Sequence, residues 1–398
     1  MSTAAEKPVV LQLLQARRKA PVIFWTIIFI ALAEFFVIVV APLILPDHFY
    51  LNLYLNKKSK ASLTEFVAGQ DQFLVYDNVV GWRNRPNTSY DEWQVDEYGS
   101  RSTHRFGYHK SKPTRIMFLG NSLINGGVHQ NVGETISALV EDSVTESINF
   151  GTMLYSVDQM YLDYVNRLHQ FESDIIVVGV QSDPGDGLVN QFIPFWKRSE
   201  ANMPYLKPRF KYDNERLELV SVPELELYSR CLNESQLFDA LAAADDYYAD
   251  FDSYKRFGLL PLSSSLWNIA RRSANFSHLL DEEADYQDLV IAILELLRQE
   301  SEANGAHLVV LMFPDQEKAF PGGLRSLLPD KYGNLVSSLR QSGFEVVDAR
   351  DAIRRSTLAP WQLYFEDRRH FLKAGNKAIA GALKERVAAI LEARNTRF

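Results

Sequence analysis

Cysteine is nearly absent from this chain: Cys231 is the only one in 398 residues. That excludes an intramolecular disulfide framework and any zinc site built from several cysteines. It leaves the compartment open, because a large domain with its own core needs no disulfide even in an oxidising environment. A basic excess is missing too. With 42 Lys and Arg against 50 Asp and Glu the net charge is -8, so there is no positive field to neutralise phosphates, and nucleic acid is not expected as a partner. Histidine is sparse, and His104, His109 and His129 are scattered without ligand spacing, so neither a metal nor another cofactor is expected. The glycine pairs Gly126-Gly127 and Gly322-Gly323 stand alone and read as turns, not phosphate cradles.

What is present is a globular composition, 46% apolar and 23% charged, in a length that suits one large domain or two ordinary ones. One apolar run stands out. Residues 21–45 contain a single charge, Glu34, and one other polar residue, Thr26. At about 1.5 Å per residue a helix of this length crosses a hydrocarbon core of roughly 30 Å. The run is too long for the apolar region of a cleavable signal peptide, and Pro46-Asp47-His48 is no small-residue cleavage site. An uncleaved transmembrane helix in the lipid bilayer is expected. Arg17, Arg18 and Lys19 precede it directly, whereas Lys57, Lys58 and Lys60 come later. The positive-inside rule then puts residues 1–20 in the cytoplasm. The rest becomes an extracytoplasmic, periplasmic domain of a single-pass inner-membrane protein. Glu34, near mid-span, either meets another membrane protein or sits protonated and tolerated.

Residues 46–112 are mixed and polar, with turn signals at Asp77-Asn78, Arg85-Pro86-Asn87 and Tyr98-Gly99. Their aromatic residues Tyr76, Trp82, Tyr90 and Trp93 need a surface to pack on. They read as a juxtamembrane connector and an N-terminal lobe. From residue 113 strands and helices alternate. Short apolar segments ending at Leu119, Gly151, Val180, Phe313 and Asp348 read as strands, and helical patterns cover 134–144, 156–169, 286–302, 331–341 and 374–393. This alternation predicts an α/β three-layer sandwich with a mainly parallel sheet over residues 113–398. A stretch at about 186–284 interrupts the rhythm. It holds a hairpin over 208–220 turning at Asp213-Asn214, and an acidic, aromatic segment at 245–250 that reads as a solvated helical insert.

Two short stretches carry the chemistry. Gly120-Asn121-Ser122-Leu123 follows the first sheet strand, at the carboxyl end where ligands bind in such sheets. Asp367-Arg368-Arg369-His370 lies before the last helix. A serine, a histidine and an aspartate are the set that turns a weak hydroxyl into a nucleophile for acyl groups.

In order and context these blocks resemble the SGNH (GDSL-type) hydrolases and acyltransferases, with Asn121 where Asp is usual. Asn149-Phe150-Gly151 resembles the second block of that family. Asp367-x-x-His370 followed by Ala374-Gly375-Asn376 resembles the last. The lead-in Gly81-Trp82…Arg85-Pro86 and Asp96-x-x-Gly99-Ser100-Arg101 is similar to members found with envelope-polysaccharide genes. The resemblance implies an SGNH/flavodoxin-like fold in which Ser122 is the nucleophile, His370 the base and Asp367 its support. It also implies an oxyanion hole from the N–H groups of Ser122 and Gly151. The third donor departs from the family, whose Gly-x-Asn-Asp is replaced by Gly179-Val-Gln-Ser-Asp-Pro184. Asp183 stands at the expected distance, or Ser182 if the register slips. Either Gln181 or Ser182 donates, or Asp183 is protonated, or the site is weakened.

Asn121, Tyr155, Gln181 and Arg101 are further substrate-binding candidates, and Gln159 a candidate pocket residue. Helix packing is the alternative for Tyr155 and Gln159, and a structural salt bridge for Arg101. Arg368 and Arg369 either face an acidic glycan or are solvated. The resemblance implies a membrane-anchored serine esterase or O-acyltransferase acting on short acyl esters, chiefly acetyl, of an envelope or secreted polysaccharide. Hydrolysis and transfer need the same residues. Transfer would call for a multispanning acyl-donor membrane protein as partner. The alternative is a catalytically degenerate domain that binds glycan or scaffolds a polysaccharide modification or export complex. A lipase would need a large apolar mouth, and Phe192, Phe195 and Trp196 are too few to make one.

Overall fold

The computed structural model describes residues 9–102, 104–127, 130–196, 203–213, 216–260, 263–265, 269 and 285–395. His129 and parts of the 186–284 stretch lie outside them. The strands used below are β1 (Leu74–Asp77), β2 (Gly81–Asn84), β3 (Thr114–Leu119), β4 (Thr145–Asn149), β5 (Ile175–Gln181), β6 (Arg209–Asp213), β7 (Arg216–Val220), β8 (His307–Phe313) and β9 (Glu345–Asp348). Five of them form one parallel sheet in the order β9-β8-β5-β3-β4. Residues alternate faces along each strand, as the two-residue period of a pleated sheet requires. Met117, Leu119, Ile176, Val178, Val310 and Met312 enter one hydrophobic cluster, and Ile116, Phe118, Val177, Val309 and Leu311 enter the other.

The helices are α1 (Val9–Phe35), α2 (Asp47–Tyr54), α3 (Lys57–Val67), α4 (Ser122–Asn125), α5 (Ile136–Val140), α6 (Val157–Asn166), α7 (Gln236–Ala244), α8 (Tyr248–Phe257), α9 (Asp285–Ala303), α10 (Lys331–Gln341), α11 (Ala349–Arg355) and α12 (Lys373–Asn395). Helices α6, α9 and α10 cover the first face of the sheet, and α5, α11 and α12 the second. This is the expected three-layer α/β sandwich. The chain passes from β3 to the edge strand β4, then returns past β3 to β5. That reversal leaves a crevice at the carboxyl ends of β3 and β5, the usual ligand position in open parallel sheets.

The N-terminal lobe and the insert are not appendages. Tyr50, Leu51, Tyr54, Phe66 and Trp82 share a single buried cluster with Phe195, Tyr205, Tyr228, Phe238, Phe251 and Tyr254. That cluster is continuous with the first face of the sheet. The expectation of a solvated segment at 245–250 fails at Asp245, while Asp246 and Ala249 are exposed. Asp245 is buried and accepts from the N–H groups of Gln191 (2.8 Å) and Phe192 (2.7 Å) and from the Asn190 amide (3.0 Å). Burial pushes its carboxyl up to about 6, against the pull of those donors. The hairpin at 208–220 is present as β6 and β7.

Among the described residues, two ion pairs have both side chains buried. Lys207 Nζ meets Asp158 Oδ2 at 2.7 Å with neither side chain exposed. Arg115 Nε meets Glu146 Oε1 at 2.7 Å, and its other nitrogens cap the carbonyls of Tyr108 and His109.

Helix α1 continues through a π turn at Phe36–Val40 into Ala41–Ile44. Pro42 has no N–H and would crowd the carbonyl four residues earlier, so a wider turn just before it relieves the clash. Pro21–Ile44 is long and apolar enough to cross a membrane, a property that a membrane span and a signal sequence share. Its last turns pack on α8.

Candidate active site

Ser122 is the first residue of α4, a single helical turn entered directly from β3. Asn121 caps it, taking the Leu123 N–H on Oδ1 at 3.0 Å. Gly126, at φ 87°, ends the turn in the left-handed region. The nucleophile candidate therefore projects from a short capped turn at the crevice.

His370 and Asp367 lie on a tight loop between Tyr364 and Phe371, which form an isolated antiparallel bridge. The Phe365 N–H donates to the His370 carbonyl at 2.9 Å, closing the loop. Gly375 lets this loop close onto α12: a Cβ there would stand 2.5 Å from the Leu363 carbonyl oxygen. His370 Nε2 is 2.8 Å from Ser122 Oγ. His370 Nδ1 is 2.5 Å from Asp367 Oδ2. Asp367 Oδ1 accepts from the N–H groups of Arg369 (2.9 Å) and His370 (3.0 Å). Burial works against ionising Asp367, but these donors, His370 first, outweigh it and hold the carboxyl well below the usual range. The three residues thus form one continuous relay across 248 residues of sequence separation between serine and histidine.

The relay opens into a cleft of about 1540 Å³. Asn121, Tyr155, Gln181, Ser182 and Asp183 all line it, with Met153, Leu154, Asp315, Phe365 and Arg369 among the other wall residues. Asn121 Nδ2 donates to Gln181 Oε1 at 3.1 Å, which ties the first and third blocks together. Ser182 Oγ stands 3.4 Å from Asp183 Oδ2 and 3.5 Å from Asp315 Oδ2. Lys318 lies 3.8 Å from the Asp183 carboxylate, so that charge has a counter-ion. Burial, with Asp183 adding to it, raises the Asp315 carboxyl above its ordinary value. The Tyr155 hydroxyl is occupied by the Trp82 carbonyl at 2.5 Å, so the ring alone faces the cleft.

Two expectations are corrected. Gly151 does not supply an oxyanion donor: its N–H is spent on Asn149 Oδ1 at 2.9 Å, and it is not part of the cleft wall. Arg101 lies outside the cleft wall and does not form the expected salt bridge. It is 2% exposed, donates to the carbonyls of Gln130 (2.6 Å) and Gly127 (2.9 Å), and stacks over Trp93. Gln159 is likewise spoken for, with Nε2 on the Val80 carbonyl at 2.8 Å. Arg368 pairs at 3.7 Å with Glu317.

The residue that sequence reasoning missed is Leu154. It lines the cleft with φ 60°, a conformation uncommon for a bulky side chain. Among the described residues no acceptor takes its N–H. Its neighbours are held by the N-terminal lobe. Trp82 Nε1 donates to the Met153 carbonyl at 2.9 Å, and Asn84 Nδ2 to the Gly151 carbonyl at 2.9 Å. The Arg101 N–H donates to the Asn149 carbonyl at 2.7 Å. Among the described residues no cluster of three or more His, Cys, Asp or Glu is placed to hold a metal ion.

No family model matches the chain, and no curated protein does. Solved structures do. The chain is similar to LAE5, an α/β-hydrolase enzyme from the metagenome of Lake Arreo, Spain, at 14% identity and a TM-score of 0.38, over 71% of this chain and 98% of that one. It is similar to Axe2, an acetylxylan esterase from Geobacillus stearothermophilus, at 13% identity and a TM-score of 0.38, over 69% and 94%. A protein of the G-D-S-L family from Desulfitobacterium hafniense DCB-2 matches at 11% identity and a TM-score of 0.34, over 69% and 99%.

Proposed function

We propose that the protein is a serine esterase or O-acyltransferase of the SGNH type. Its catalytic residues would be Ser122, His370 and Asp367. The carrying observation is the relay itself: Ser122 Oγ to His370 Nε2 at 2.8 Å, and His370 Nδ1 to Asp367 Oδ2 at 2.5 Å. Its shape dictates a mechanism. His370 takes the Ser122 proton as Oγ attacks an ester carbonyl, and returns it to the departing alkoxide. The acyl group is left on Ser122. Asp367 holds the imidazole tautomer and stabilises the imidazolium. Water or a sugar hydroxyl then attacks the acyl-enzyme, giving hydrolysis or transfer with the same residues.

The tetrahedral intermediate needs donors aimed at its oxygen. The Ser122 N–H, at the start of a helical turn where N–H groups lack intrahelical acceptors, is one. The Leu154 N–H takes the place that Gly151 cannot fill. Ser182 or Gln181 completes the hole, with Asp183 paired to Lys318.

The substrate we propose is a short acyl ester, chiefly acetyl, on an envelope or secreted polysaccharide. The family-like blocks around Trp82 and Arg101 support it. So does a wide cleft walled by both apolar and polar groups, which suits a polymer. The run Pro21–Ile44 would hold the enzyme in the inner membrane with residues 46–398 on the extracytoplasmic side, next to an acyl-donor membrane protein if the reaction is transfer. The intact relay favours an enzyme over a degenerate glycan-binding domain.

The test uses the full chain in nanodiscs and a serine-directed phosphonate. A single adduct on Ser122 is expected by mass spectrometry, with none in Ser122→Ala. A folded protein that stays unlabelled and leaves p-nitrophenyl acetate intact overturns the assignment.

A further inference from the structure

Only Leu45 and Pro46 separate the end of the apolar helix from α2, and α2 is built into the core of the domain. Its inner face buries Tyr50, Leu51 and Tyr54. Asp47, at its first turn, is tied to α8 by Lys255 Nζ at 2.8 Å and the Tyr248 hydroxyl at 3.2 Å. Residues Phe36–Val40 and Ala41–Ile44 pack on the same helix α8. The domain is therefore not on a flexible tether. It is fixed against the upper turns of the apolar helix.

The outer face of α2 is different. Phe49 is 41% and Leu53 47% exposed, one helical turn apart, and Lys57 and Lys58 are exposed at the start of α3. Chain length limits how far from the membrane this face can stand. A helix of 24 residues rises about 36 Å, more than the roughly 30 Å hydrocarbon core, so its end already stands in the headgroup layer. From Ile44 to Phe49 the chain can climb only about 11 Å further, with two linking residues extended and three helical.

We propose that this face, Phe49 and Leu53 with Lys57 and Lys58 beside them, is a second contact with the lipid bilayer. The apolar pair enters the acyl boundary, and the two ammonium groups meet anionic lipid headgroups. Apolar side chains flanked by lysine are what an interfacial helix needs, and each lysine near an anionic surface adds attraction. The contact fixes how the domain sits on the membrane, which a single helix passing through cannot do. It rests on the reading of Pro21–Ile44 as a membrane span.

The experiment exploits the lone, buried Cys231, because an introduced cysteine becomes the one reactive thiol. Full chains carrying Phe29→Cys, Leu53→Cys or Glu302→Cys are labelled with an environment-sensitive nitrobenzoxadiazole. They are placed in nanodiscs of phosphatidylcholine and phosphatidylglycerol containing a doxyl-quencher lipid. Quenching at position 53 is expected to exceed that at 302 by at least about twofold, and to weaken when Lys57→Glu and Lys58→Glu are added. Equal emission at 53 and 302, with position 29 quenched, overturns the second contact and leaves the span intact. An unquenched position 29 overturns the span, and this inference with it.

Discussion

The indole of Trp82 reaches out of β2 to hold the carbonyl of Met153, 2.9 Å away, across a sequence gap of 71 residues. Tyr155 answers from the same loop by donating its hydroxyl to the Trp82 carbonyl. The residue between those two contacts is Leu154, with its left-handed backbone and its N–H turned to no acceptor among the described residues. The lobe before the sheet thus sets the conformation of one wall of the cleft.

Trp82→Phe keeps most of the buried ring and removes the donor. We expect a loss of about 1–3 kcal/mol in stability from the orphaned Met153 carbonyl. We also expect kcat to fall while KM for a small ester stays within about twofold, because a misplaced donor hurts the transition state and not the ground state. Denaturant melts and steady-state kinetics on p-nitrophenyl acetate check both parts.

Leu154→Gly separates backbone from side chain. Relief of the left-handed conformation should stabilise the fold, or leave it neutral once the lost side-chain packing is counted, since a left-handed residue with a Cβ costs roughly 1–2 kcal/mol. The N–H remains, so esterase activity should be retained within about threefold if that N–H is the oxyanion donor. A loss of about a hundredfold with an intact fold would show that the leucine side chain, not its N–H, is what the reaction uses.

Ser122→Ala and His370→Ala should each lower kcat by at least about 10³-fold, and the double variant should be scarcely worse than either, because residues acting as one unit are not additive. Independent, additive losses would mean that the 2.8 Å contact does not operate as a relay.

Asp367→Asn should lower kcat by about 10²–10⁴-fold through the wrong imidazole tautomer, and should lower the melting temperature near neutral pH, where the ionised carboxylate stabilises the fold. The folded-state value of Asp367 lies below its unfolded one. Its contribution to stability is therefore in place above roughly pH 4 and is lost as the pH falls through and below that value. Across assays at about pH 5–9 Asp367 stays ionised.

Lys207→Met removes the ammonium that meets the fully buried Asp158 carboxylate. A loss of about 3–5 kcal/mol is expected, with Lys207→Met/Asp158→Leu less destabilised than the two single losses summed. A double-mutant cycle read by urea melts decides it.

How far the sequence reaches can be seen residue by residue. The sheet strands were legible because burial on both faces leaves continuous apolar runs such as Ile-Ile-Val-Val and Leu-Val-Val-Leu-Met-Phe, bounded by turn residues. Ser122 and His370 were legible because their order along an alternating α/β pattern places both at the same sheet edge. Gly151 misled because the resemblance of Asn149-Phe150-Gly151 to the family's second block implies an oxyanion donor there. Asn149, two residues earlier, consumes its N–H in a local Asx turn. Leu154 was invisible for the opposite reason, since a left-handed backbone is normally announced by Gly or Asn. The lobe and the insert read as separate pieces because their shared core joins residues nearly 200 apart, such as Tyr54 with Phe251. Asp245 looked solvated because acidic neighbours surround it in sequence, while its donors come from Asn190, Gln191 and Phe192.

That shared core also limits where the chain can be cut. The alternating pattern begins near residue 113, and a boundary drawn there would leave β3 and everything after it. It would also strip Tyr50, Leu51, Tyr54, Phe66 and Trp82 from a cluster that the insert and the sheet depend on. The raw apolar faces of Phe195, Tyr205 and Phe251 would then meet water, which is how a trimmed fragment aggregates. Shortening from the N-terminus should lose solubility before it loses any residue of the relay.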